Sequence, residues 1–240
     1  MMENKIILLK GPTACGKTDH ASKLVKNHPL EIISVDSVMV YKGLDIGSAK
    51  PTSEELKLCP HHLIDVCEPT ENYSAGEFYQ DVQRVMQSII RKGKIPFLVG
   101  GTMMYFRVLE QGISQLPSAN PTVRNQINSE AAANGWAKLH QELQRIDPTA
   151  AKKIDPSDKQ RIQRALEVHR ITGKPISSFH GGQKQPIDYQ RLNLSLVPSN
   201  RDILYKRIEN RFDSMLDQGL VPEVGHLLSK NSLTSSHNSM

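Results

Sequence analysis

The chain has 240 residues, 38% of them apolar and 23% charged, a balance typical of a folded soluble protein with room for one or two cored domains. No apolar stretch reaches the length of a membrane span, the N-terminus lacks a signal-peptide pattern, and three cysteines are too few for a disulfide framework, which together imply a reduced, cytoplasmic setting. A net charge of +5 permits a nucleic-acid partner without establishing one.

In chain order, Ile6-Ile7-Leu8-Leu9 reads as a buried strand. It runs into Gly11-Pro12-Thr13-Ala14-Cys15-Gly16-Lys17-Thr18, which fits G-x-x-x-x-G-K-[ST], and a helix-prone stretch follows from Thr18 to Lys26. Between a strand and a helix, such a loop points its backbone N–H groups at a phosphate, helped by the helix dipole. Lys17 would reach the terminal phosphates and the Thr18 hydroxyl would ligate Mg²⁺. The competing reading is a structural turn. Ile32-Ile33-Ser34-Val35 and Leu63-Ile64-Asp65-Val66 read as second and third strands. Ser74 and Glu77 form a capping box that opens a helix through Lys92. Pro96-Phe97-Leu98-Val99 reads as a strand ending in Gly100-Gly101-Thr102. This alternation implies an α/β fold with a parallel sheet, helices on both faces and ligands beyond the strands' carboxyl ends.

From about Leu116 the texture changes. Asn120-Pro121, Asp147-Pro148 and Asp155-Pro156 each place a capping residue before a proline suited to the first helical position. They imply an all-helical insertion over 116–188, separating a core domain of 1–115 from its continuation at 189–230. Tyr189 to Val197 alternates as a returning strand, a helix capped by Asn200 spans about 201–218, and the serine-rich tail 231–240 is expected to be disordered.

Several residues carry two readings. Asp36 follows a strand, where a catalytic base or a metal-organising carboxylate would sit, but it can also cap a turn. Thr102 can cap the next helix or touch a substrate. Cys59, His61, His62, Asp65 and Cys67 are metal-capable, but their spacing matches no usual zinc pattern. Met103-Met104 reads as core. A helix over 155–172 would put Ile162, Ala165, Leu166 and His169 on one face and Gln160, Gln163 and Arg164 on the other. Its basic surface is either simply solvated or meets a phosphate backbone.

Seven segments together resemble the bacterial tRNA dimethylallyltransferases (tRNA isopentenyltransferases). They are GPTACGKT (11–18), ISVDSVMVYKGLDIGSAKP (33–51), HHLIDVCEP (61–69), YSAGEF (73–78), LVGGTMMYF (98–106), LPSANPTVR (116–124) and DKQRIQRALEV (158–168). They run in the family's order, and the second is long and specific. The resemblance implies a P-loop fold and transfer of a dimethylallyl group from dimethylallyl diphosphate to the N6 amine of the adenosine 3′ to the anticodon. It implies Mg²⁺ as cofactor, a tRNA anticodon stem-loop as partner, no membrane, and a monomer. Asp36 matches the catalytic aspartate. Lys17, Thr102 and Arg124 match groups that stabilise the leaving diphosphate. Asp36, Ser37, Val38 and Met39, with Thr102 and Arg124, match tRNA-contacting positions, as do Gln160, Arg161, Ile162, Gln163 and Arg164. Many members carry glutamine where this chain has Met39. The family also continues past the segment matched by Glu223-Val224 and Leu227-Leu228. Apolar surface is therefore expected on the 201–218 helix and at Leu227-Leu228, with diphosphate binding retained and tRNA modification poor. Outside the resemblance, a P-loop kinase of a small metabolite and a non-catalytic tRNA-binding module are the alternatives.

Overall fold

Three apolar runs, β1 (Lys5–Lys10), β2 (Leu30–Val35) and β4 (Ile95–Gly100), form the centre of a parallel sheet. The computed structural model describes residues 5–114, 116–179, 186–231 and 233. Between the first two strands lies α1 (Lys17–Asn27), and between the second and fourth lie α2 (Ser53–Leu58), β3 (His61–His62) and α3 (Ala75–Arg91). After β4 comes α4 (Met103–Gln111). The strand order is β3-β2-β4-β1-β5, with every pairing parallel and β5 at Gln190–Ser195.

Parallel strands must be covered on both faces, which is why these runs are apolar throughout rather than alternating. Ile6, Leu8, Ile33, Val35 and Leu98 pack on Phe78, Val82, Met86 and Ile89 of α3 and on Tyr105, Phe106 and Leu109 of α4. Leu9, Ile32, Phe97 and Val99 face the other way, with Ala21 of α1 and Cys59. The capping box at Ser74 and Glu77 starts α3, and the spacing of its four buried residues makes the stripe that meets the sheet. Pro96 is tolerated in a central strand because pairing of β4 with β1 starts only at Phe97.

The segment Gly112–Gln185 forms a separate unit, inserted in sequence into a first unit made of Met1–Gln111 and Pro186–Met240. It contains α5 (Pro121–Asn134), α6 (Trp136–Ile146), the single turn α7 (Pro148–Ala151) and α8 (Lys159–Thr172). Ile127, Leu139, Leu143, Ile162, Leu166 and Val168 form its core. Inside it lies a carboxylate: Glu167 is fully buried. Its Oε1 accepts from the Asn120 backbone N–H at 2.7 Å and from Arg124 Nε at 2.9 Å. Its Oε2 accepts from Arg124 Nη2 at 3.2 Å and Arg164 Nη1 at 2.6 Å. Arg164 Nη2 reaches on to the Pro117 carbonyl at 2.7 Å. One carboxylate thus ties the start of α5, the segment before it and α8 together.

The chain returns through β5 to α9 (Arg201–Asp217), capped by Asn200, and α10 (Leu220–Asn231). No described residue of α9 is buried, and its apolar residues Ile203, Tyr205 and Phe212 are at least half exposed. Leu228 is also exposed, but Leu227 is not: it packs against Val40, Tyr41 and Leu44.

Four further sequence expectations are corrected. The third strand is only His61–His62, because Leu63 and Asp65 take left-handed φ values of 62° and 55°. There the chain turns to bond the Met39 and Val40 carbonyls instead. The last insertion helix starts at Lys159, not beside Pro156. Asp155 accepts from Ser157 in a local turn, and Asp158 is the cap, accepting from the Arg161 N–H. Met103 and Met104 are exposed at the start of α4, since Tyr105, Phe106 and Leu109 hold its buried face. Of the tail at 231–240, Asn231 closes α10 and Leu233 is buried beside Leu227; the rest lies outside the described residues.

Burial alone would raise the Glu167 pKa, but bonds from Arg124, Asn120 and Arg164 prevail and hold it below the usual glutamate range. Its contribution to stability is therefore full above the ordinary glutamate value and is lost as pH falls through the depressed folded value. Glu167→Ala, which strands two arginines, should destabilise the insertion by about 3–5 kcal/mol in chemical denaturation, and the difference from wild type should shrink in acid.

Candidate active site: a phosphate loop and a carboxylate in one cleft

Because β4 lies between β2 and β1, the segments leaving these three strands meet at one end of the sheet. The approach is close enough to require glycine. A Cβ on Gly100 would sit 2.0 Å from the Val35 carbonyl oxygen, and one on Gly11 2.4 Å from that of Leu196.

After β1, Ala14 and Gly16 take left-handed φ values of 60° and 91°. Alternating backbone handedness turns successive amides toward a common centre, forming an anion-binding concavity, and the N-terminus of α1 adds its dipole. A non-glycine residue held at positive φ is strain of the kind found at ligand sites. Lys17 Nζ donates to the Gly11 carbonyl at 2.9 Å and to that of Pro12 at 2.6 Å. The ammonium is thus held across the loop, beside the tip of β4. The Thr18 hydroxyl, exposed at the start of α1, has no hydrogen-bond partner among the described residues.

Asp36 leaves the end of β2. Its Oδ1 accepts from the Val38 and Met39 backbone N–H groups at 2.8 and 3.1 Å, so it does cap a turn. That bonding fixes the carboxylate and leaves Oδ2 without a partner among the described residues. Thr102 does not cap α4 with its side chain. Its Oγ1 accepts from the Ser37 N–H at 3.1 Å and donates to Ser37 Oγ at 3.4 Å, pinning the β4 tip to the Asp36 turn. Asp36, Met39, Gly100, Gly101 and the phosphate loop line one cleft of about 890 Å³.

Two cleft arginines escaped sequence reasoning. Arg207 and Arg211 of α9 line the same cleft, followed by Ser214 and Gln218. The spacing 207, 211, 214, 218 is a helical stripe, and that polar periodicity was the available signal. The loop 45–50, read only as part of a motif, forms another wall. Lys50, almost buried, donates to Asp45 and Asp65 at 2.6 Å each and to the Tyr41 carbonyl at 2.9 Å.

The remaining expected residues lie in the inserted unit. Arg124 forks onto Glu167. Arg161 is exposed, Gln160 is exposed, and Gln163 bonds Asn128 at 2.6 Å. Ile162, expected within a tRNA-contacting segment, is fully buried among Ile127, Leu143 and Leu166, so its side chain belongs to the core. The cysteine–histidine cluster has structural partners: His61 Nδ1 meets the Cys59 carbonyl at 2.7 Å, and His62 Nε2 meets Glu31 at 2.9 Å. Among the described residues no group of three such side chains could hold a metal ion.

A parallel sheet carrying a glycine-rich phosphate loop at its switch point defines a P-loop α/β protein. A family model described as IPP transferase matches residues 39–240. A tRNA dimethylallyltransferase of Coxiella burnetii is 52% identical over 231 residues, covering 96% of this chain and 74% of the relative. That of Thioalkalivibrio sulfidiphilus is 51% identical over 236 residues, covering 98% and 74%. Among solved structures, the full-length tRNA isopentenylpyrophosphate transferase of Bacillus halodurans aligns with a TM-score of 0.66 at 34% identity, over 99% of this chain and 73% of that one. A eukaryotic dimethylallyltransferase acting on tRNA aligns with a TM-score of 0.79 at 29% identity, over 97% and 58%. The chain belongs to the IPP transferase family.

Lys17→Ala should weaken binding of inorganic pyrophosphate by at least about ten-fold, since it removes the ammonium held across the loop. Isothermal calorimetry with Mg²⁺ checks this, and an unchanged affinity would place the anion elsewhere.

Proposed function

We propose that this chain transfers the dimethylallyl group of dimethylallyl diphosphate to the N6 amine of the adenosine 3′ to the anticodon in tRNA. The observation that carries the reading is that the phosphate loop, two arginines and the Asp36 carboxylate face one cleft. A phosphate loop by itself would equally suit a kinase. A carboxylate with one oxygen fixed and the other open beside it suits the removal of a proton from an amine.

In the proposed reaction the adenine nitrogen forms a bond to the allylic carbon while the carbon–oxygen bond to diphosphate breaks. The electron pair leaves with pyrophosphate, and the amine proton passes to Asp36 Oδ2. The amine is a weak nucleophile because its lone pair is delocalised into the ring, so proton acceptance matters. Charge growing on the leaving group is met by the amides of Gly11 to Thr18, by Lys17, and by Arg207 and Arg211. Arg124 is proposed to add to this, as the family resemblance implies. Mg²⁺ fits the open Thr18 hydroxyl, a hard oxygen donor, and when bound would neutralise diphosphate charge. Thr102 holds Ser37 and so the turn that aims Asp36. The target base must leave its stack to reach the cleft. Met39 offers it a thioether face rather than an amide. The cytosol, where the tRNA and allylic diphosphate would meet, is the proposed location; no described helix is long and apolar enough to cross a membrane.

The direct test incubates the chain with tRNA, Mg²⁺ and labelled dimethylallyl diphosphate. Label entering tRNA supports the reading, whereas ATP turnover without transfer would replace it with a kinase. Asp36→Asn should lower transfer by roughly 10²–10⁴-fold while tRNA affinity stays within a few-fold. Near-normal turnover would remove Asp36 from the chemistry.

Contact between α8 and tRNA is proposed through Arg161. Arg164 cannot report on it cleanly, because reversing its charge would also disturb Glu167. Arg161→Glu should weaken tRNA binding and reduce the salt-dependence slope by about 1. An unaltered slope in a salt titration would return α8 to a merely solvated face.

A further inference from the structure

The cleft wall at 45–50 is gripped from behind by a residue far away in sequence. Glu223, in the first turn of α10, accepts three successive backbone N–H groups on one carboxylate. Its Oε2 takes Asp45 at 3.0 Å and Ile46 at 2.8 Å, and its Oε1 takes Gly47 at 3.0 Å. The loop packs against the helix at Gly47, where a Cβ would lie 3.0 Å from the tip of Leu220 and in ordinary contact, 3.6 Å, with Glu223 Oε1. The carbonyl of Ser48, the residue after Gly47, accepts from Arg211 Nη2 at 3.4 Å. Arg211, Asp45, Ile46 and Ser48 all line the cleft that holds the phosphate loop.

We propose that Glu223 is a positioning residue for the diphosphate site. By fixing the amides of 45–47 it fixes the Ser48 carbonyl, and that carbonyl sets the direction in which Arg211 presents its guanidinium to the cleft. Glu223 touches no reacting atom and acts through the loop and Arg211. A carboxylate suits the task because it is ionised, acceptor-only, and wide enough to take three donors, and each such bond is charge-assisted. The inference rests on the prenyl-transfer reading only for the identity of the diphosphate that Arg211 meets.

A residue that merely fastens α10 would change stability and leave ligand affinity alone. The test therefore reads affinity and loop order together, in the 240-residue chain. Glu223→Gln keeps the length but turns an NH₂ toward one of the three donors. Glu223→Asp keeps the charge but shortens the side chain by one methylene, so its carboxylate can no longer span all three donors. Both variants should weaken inorganic pyrophosphate binding, measured with Mg²⁺ by calorimetry, by about ten-fold or more, because small misplacements at such sites are costly. Both should speed hydrogen exchange at the amides of 45–47. KM for dimethylallyl diphosphate should rise, and KM for tRNA should stay within about two-fold. Faster exchange with unchanged pyrophosphate affinity would overturn the proposal, as would unchanged exchange. Should Glu223→Gln fail to fold, Glu223→Asp decides the matter. A wild-type chain that binds pyrophosphate but transfers no prenyl group would overturn the functional reading, and the pyrophosphate and exchange results would still judge the role of Glu223.

Discussion

The close approach of β4 to β2 at Gly100, where no Cβ fits against the Val35 carbonyl, is the contact on which the cleft depends. It lets β4 lie between β2 and β1 with its tip level with theirs, in register from Leu30–Ile95 to Val35–Gly100. The phosphate loop, the Asp36 turn and Thr102 then share one end of the sheet. The buried apolar faces hold that register, since a one-residue slip would turn every core side chain around. The geometry of the cleft therefore draws its rigidity from the hydrophobic core of the sheet.

The polar parts are oriented by fixed partners rather than left to find their places. In the inserted unit, Glu167 holds Arg124 and Arg164 by the fork geometry that guanidinium and carboxylate share. In the first unit, Asp45 and Asp65 hold Lys50, the Asp36 turn holds its own carboxylate, and Glu223 holds the amides of the 45–47 loop. Groups fixed in advance would need little reorganisation in the reaction proposed above. The short loops of this motif are thus tertiary structure in their own right: Tyr41 is buried, it bridges to Cys67, and Leu227 of α10 packs on it.

α9 bears out the apolar surface expected on the 201–218 helix and shows that periodicity alone would have placed it otherwise. Its apolar residues would ordinarily mark the inward face of a helix, yet Ile203, Tyr205 and Phe212 are exposed while Arg207 and Arg211 line the cleft. Sequence alone describes two faces and cannot say which one a site will claim. The Leu63–Val66 run has the composition of a strand, but Asp65 is drawn to Lys50 and the local backbone adopts left-handed φ at two residues. The Asp155-Pro156 start fails for a local reason: Asp155 satisfies Ser157, and Asp158, three residues on, has the better-placed carboxylate for the helix amides.

The sequence by itself determined what depends on neighbours along the chain. The apolar runs dictated the strands, Ser74 with Glu77 and Asn120 with Pro121 set helix starts, and the glycine spacing of the phosphate loop, with Asp36 at a strand tip, marked the end of the sheet where the cleft lies. Only tertiary structure decided what depends on residues distant in sequence. Arg207 and Arg211 joined the phosphate loop, Glu167 claimed two arginines, and Glu223 reached back to amides at 45–47. The physical reason is range. Capping, turn chemistry and side-chain periodicity are settled within a few residues. The partner of a charged group is settled by which surfaces the core brings together, and no spacing in the sequence records that.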